Sequence, residues 1–190
     1  SVDPIAGGEA VILLSFNVTD ADGVATINAS KAIVNFTLGT PGFSQFRFNV
    51  SDAGGEFGTC ANHTQPGPGA EASRVIINCT ILMRYYDNAS SNWVVNISVQ
   101  DTSGQIGRND TFVFTYNSLA AFRITSTGGE GSVLNFSTIF LNDQNKEAKA
   151  PLLLNNTGNN DFDQINITAA NLIGITTPSE TIGSSQFFVN

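Results

Sequence analysis

Along most of the chain apolar and polar residues alternate with a period of two. In SSNWVVNISVQ, residues 90–100, Trp93, Val95, Ile97 and Val99 share one parity, while Val94, Asn96, Ser98 and Gln100 share the other. That is the spacing of a strand with one face on a core. The same texture predicts strands over 10–20, 31–38, 44–51, 74–84, 92–101 and 110–117, separated by clusters of Asp, Gly, Pro and Asn. No stretch carries a long amphipathic pattern of period 3.6. Short strands broken by turn signals, without helices to cross between parallel neighbours, predict an antiparallel sandwich.

After Tyr116 the pattern restarts. The segments AFRITST, SVLNFSTIFL, APLLLNNTG, FDQINITAANL and SSQFFVN read as a second set of strand-like pieces. The expectation is an all-β protein of two Ig-like antiparallel sandwiches, residues 1–118 with an N-terminal arm and residues 119–190. The second unit is smaller and short of the strands a closed sandwich needs without a neighbouring strand.

Several polar faces share one triplet. Asn-x-Ser/Thr, the acceptor for N-linked sugar, begins at Asn17, Asn28, Asn35, Asn49, Asn62, Asn78, Asn88, Asn96, Asn109, Asn135, Asn155 and Asn166. With 21 Asn in the chain, random placement gives roughly four such triplets, against these twelve. Many lie between apolar residues, as in FNVT, VNFT, FNVS, INCT, VNIS, LNFS and INIT. In a strand this spacing sends the apolar pair inward and the Asn with its hydroxyl partner outward. Ser and Thr suit exposed strand positions without further reason, but Asn is depleted in strands. Covalent glycans on these asparagines are therefore expected, and with them a mature extracellular chain. The start SVDPIAGG has neither the basic nor the apolar segment of a signal peptide.

Charge narrows the partners. A formal charge of -8, with only 3 Lys and 5 Arg, argues against nucleic acid or anionic membrane. No run of about 18 apolar residues marks a membrane span. Cys60, in EFGTCANHTQPGPGAEA, and Cys79, in RVIINCTILM, are expected to pair in an oxidising compartment. The alternative is a free Cys79 packed beside Ile77 and Ile81.

Site chemistry is sparse. The single histidine, His63, falls inside the triplet at Asn62 in a Pro- and Gly-rich loop, where it offers little to a hydrolase triad. Asp20 and Asp22 in TDADGVA read as a turn, lacking the further ligands of a Ca²⁺ loop. NNDFDQ, residues 159–164, is read the same way. Two Cys and one His do not make a closed Zn site. The expectation is no enzyme, no metal and no cofactor other than covalent glycans.

The stretch NWVVNISVQDTSGQIGRNDTFVFTYN resembles the closing hairpin of Ig-like domains in archaeal surface and S-layer-type glycoproteins. TDADGVATINASKAIVNFTL is similar to an earlier strand, Asp-rich turn and strand of such domains. LNFSTIFL and LLLNNTGNNDFDQINIT resemble a further module more loosely. The resemblance implies an extracellular, glycosylated structural β-protein and carries over no catalytic residue. The expected function is a cell-surface subunit that assembles with copies of itself into a pilus-like filament or an S-layer, through β-strand exchange. The donor would be SSQFFVN, through Phe187 and Val189, or the arm up to Ala10. The alternative is a surface adhesin or carbohydrate-binding module, with other surface proteins or glycans as partners. Trp93 is its candidate stacking platform, although its parity places it in a core.

Overall fold

A computed structural model describes residues 1–40, 43–48, 60–64, 74–126, 134–140 and 142–188. The chain is all-β. Seven strands build a sandwich: β1 (Glu9–Thr19), β2 (Ile33–Thr40), β3 (Phe43–Phe48), β4 (Cys60–Thr64), β5 (Arg74–Arg84), β6 (Ser90–Gln100) and β7 (Ile106–Tyr116). One sheet has the order β1-β5-β4 and the other β3-β2-β6-β7, with every neighbouring pair antiparallel. The expected strands are present with shifted ends. The exception is β4, whose CANHT lacks alternation and read as loop; pairing with β5 makes it a strand.

Alternation chooses the inside. On β5, Val75, Ile77, Cys79, Ile81 and Met83 are buried, and on β6 Trp93, Val95, Ile97 and Val99. Val34, Phe36 and Leu38 of β2 join them in one buried cluster. Trp93 lies within ring-contact distance of Phe114 and donates its indole N–H to Asn88 O at 2.9 Å, which satisfies the polar edge that burial would otherwise strand. Cys60 and Cys79 are directly opposed in the β4–β5 register and joined by a disulfide.

One buried carboxylate closes the end of the core. Asp87 is fully buried and accepts from Arg47 Nε at 2.9 Å, from Arg47 Nη2, and from the Arg84 backbone N–H at 2.8 Å. Burial pushes its carboxyl above the ordinary range, against the lowering pull of the Arg84 N–H and the Arg47 guanidinium. Next to it the Tyr116 hydroxyl donates to Arg84 O at 3.1 Å. Its pKa is pushed up to about 12 by burial and by the Asp87 charge.

Beyond Tyr116 the strands are fewer and shorter. A hairpin pairs β8 (Phe122–Ser126) with β9 (Leu152–Asn156), and a two-residue ladder pairs β10 (Leu172–Ile173) with β11 (Thr181–Ile182). Of the expected strand pieces SVLNFSTIFL, 132–141, and FDQINITAANL, 162–172, residues 132, 133 and 141 lie outside the described residues, and the rest form no ladder beyond one bridge between Phe136 and Ala148 and the β10 residues. SSQFFVN opens as a 3-10 turn at Ser184–Gln186. Alternation specifies a strand only where a partner edge receives its N–H and C=O groups, and these pieces have none among the described residues.

Candidate assembly surface

Two features of this fold face outward with unmet needs: an open flank and an array of sugar acceptors. The flank is the edge at β1, which with β7 stands at the end of its sheet's strand order among the described residues. Tyr116 at the end of β7 reaches Arg84, whose register partner is Glu9 at the start of β1. Val2 of the arm donates to Thr115 O at 2.8 Å and accepts from Asn117 N–H at 2.9 Å, capping that corner. Below it, β1 has β5 as its one strand neighbour among the described residues.

The inward row records the consequence. Ile12, Leu14, Phe16 and Val18 are only partly buried, whereas their counterparts on β5 are sealed. Phe112 sits opposite buried Val95 and therefore on the inward row of β7, yet it is 59% exposed. A β-bulge in β7 between the partners of Val95 and Ile97 sets Asn109 opposite buried Ile97 and Gly107 opposite Val99. The lower half of this edge thus offers the core no apolar cover, and β7 is exposed from Ile106 to Val113. A further strand beside β1 would close the flank, pairing the N–H and C=O groups that have no strand partner among the described residues and covering the inward row.

The segment after Tyr116 adds to the unmet apolar surface. Among the described residues the buried hydrophobic ones all belong to Ala10–Tyr116, and the later chain exposes Phe140, Ile165, Ile167, Ile173, Ile175 and Phe188 among others. It is nonetheless fixed to the sandwich. Asn159 Nδ2 donates to Asp87 O and to Asn117 O, both at 3.0 Å, while its Oδ1 accepts the Leu119 N–H at 2.6 Å. Gly158 packs so closely on the 119–121 backbone that a Cβ there would overlap Leu119 O. Gly7 N–H donates to Thr157 O at 2.8 Å and Gly8 O accepts from Tyr85 N–H at 3.1 Å, so the arm is held at the same joint.

The sugar acceptors sort by position. Asn17, Asn88, Asn109, Asn135, Asn155 and Asn166 are exposed. Asn28, Asn35, Asn78 and Asn96 are half-buried. Asn17 and Asn78 share the outer face of the three-stranded sheet, where Ser15 Oγ donates to Asn78 Oδ1 at 2.6 Å. Asn135 and Asn166, expected on strands, stand on irregular backbone. Asn49 and Val189 lie outside the described residues, and of Asn62 and His63 only the backbone, in β4, is described.

The remaining candidates are drawn into the fold. Asp20 Oδ1 accepts the Asp22 N–H at 3.0 Å and its Oδ2 accepts the Thr26 hydroxyl at 2.9 Å, the bonds of a closed turn. Trp93, the candidate stacking platform, has no exposed surface. Sequence reading missed the open flank: it placed the incomplete edge after residue 119, because 10–20 alternates as well as any covered strand. Comparison with protein-family models, with curated proteins and with solved structures finds no match.

Proposed function

We propose that the chain is a structural, N-glycosylated subunit of an extracellular cell-surface assembly, a pilus-like filament or an S-layer, whose copies join by β-strand exchange. The observation that carries this reading is the open flank at β1. Its inward row is half-covered, its outer backbone edge has no strand partner among the described residues, and Phe112 on the edge strand of the other sheet is exposed. β-strand addition meets all three needs at once. The resemblance to Ig-like domains of archaeal surface glycoproteins and the excess of sugar acceptors support the compartment. Sugar on the sheet faces leaves edges and ends for protein contact.

The donor is the C-terminal segment of the next copy. The N-terminal arm already spends Val2, Gly7 and Gly8 on hydrogen bonds within its own subunit. SSQFFVN, by contrast, leaves Phe188 84% exposed. Deleting residues 184–190 is expected to abolish assembly seen by electron microscopy while circular dichroism still reports a folded sandwich. Assembly that survives this deletion overturns the C-terminal donor. Survival of both this deletion and removal of residues 1–9 overturns strand exchange.

A further inference from the structure

The outer face of the four-stranded sheet carries two sugar-acceptor triplets on one rung. Asn35 of β2 and Asn96 of β6 are direct partners in the antiparallel register. Residues so placed have Cβ atoms about 4.5–5.5 Å apart, which leaves little room for two sugar rings side by side.

The two amides differ in what they do. Asn96 Nδ2 donates to Thr37 Oγ1 at 3.0 Å and to the Asn35 backbone carbonyl at 3.3 Å. Both of its N–H bonds are thereby directed at β2. Asn35 is the converse: its Oδ1 is buried with no hydrogen-bond partner, and its amide nitrogen makes no hydrogen bond among the described residues. N-linkage replaces one N–H of the amide with a bond to the sugar. At Asn96 that replacement removes one of two hydrogen bonds and drives a ring against Thr37. At Asn35 it removes none among the described residues.

We propose that this rung carries a single sugar, on Asn35, and that Asn96 remains an unmodified amide tying β6 to β2 although it begins an intact acceptor triplet. Thr37 serves twice, as the hydroxyl of the Asn35 triplet and as acceptor for Asn96. The proposal rests on the glycosylated reading above.

Site-resolved glycopeptide mass spectrometry of the native chain tests it, with exposed Asn17, Asn155 and Asn166 as internal references. Expected is sugar on Asn35 and on the references, and a bare Asn96. Sugar on Asn96, or a bare Asn35 beside occupied references, overturns the proposal. Sugar nowhere, references included, sinks the glycosylated reading itself and the proposal with it. A second readout uses chain made in a host without N-glycosylation. There Asn96→Ala is expected to lower the melting temperature and Asn35→Ala to leave it unchanged; equal losses overturn the structural role of Asn96.

Discussion

At the residue scale, the most informative group is Tyr116, because its hydroxyl sits where β7, β5 and the arm meet. Its pKa is raised to about 12 in the folded chain by burial and by the Asp87 charge, against about 10 for an unfolded tyrosine. A group with a raised folded pKa contributes stability that is full below the unfolded value and is lost as pH rises through the folded one. Wild-type stability is therefore expected to fall between about pH 10 and about pH 12. Tyr116→Phe should flatten that fall and, by removing the bond to Arg84 O, cost about 1 kcal/mol at neutral pH. Urea unfolding at several pH values checks it; an equally steep alkaline loss in the variant contradicts it. None of this was legible in the sequence, where Tyr116 read only as the aromatic end of a strand. The Asp87 network needs Arg47 brought from 40 residues away, and nothing local announces such a pairing.

At the scale of elements, periodicity went far. The strands β2, β5 and β6 followed from alternation because each has a buried face that enforces parity, while the edge strands β1 and β7 alternate with an inward row only partly covered or exposed. β4 escaped because the disulfide and the β5 edge, rather than its own apolar residues, hold it. That disulfide closes a loop of sequence separation 19, which by loop-closure entropy is worth about 3 kcal/mol. Reduction, or Cys60→Ser paired with Cys79→Ser, is expected to lower unfolding free energy by about that amount, read by denaturant titration. An unchanged midpoint would refute the pairing. The joint after β7 yields a second expectation. Gly158 has no room for a Cβ, so Gly158→Ala should detach the later segment, with faster proteolysis near residues 117–121 while the sandwich survives. A cleavage pattern like that of the wild type would show that the clamp at Asn159 does not hold the segment.

For the molecule as a whole, the apolar side chains divide unevenly. Among the described residues the sandwich up to Tyr116 holds the buried core, and the segment after it displays most of its Ile and several of its Phe residues to solvent. Sequence alternation foresaw strands in both halves, but it cannot report whether a partner strand is supplied within the chain or from outside, since both leave the same pattern. That ambiguity concealed the open flank at β1. If the exposed triplets are used as acceptors, intact mass will exceed 20.1 kDa and fall towards that value on chemical deglycosylation. A mass already at that value would refute the coat.

The most direct measurement of assembly by strand exchange is amide hydrogen exchange of β1, compared between native assemblies and the chain lacking residues 184–190. In the assemblies, the β1 amides that point away from β5 are expected to be as slowly exchanging as those of β5, and in the truncated subunit to exchange rapidly while β5 stays protected. Equal, fast exchange of these β1 amides in both states would mean that no strand is added there, and would contradict the account.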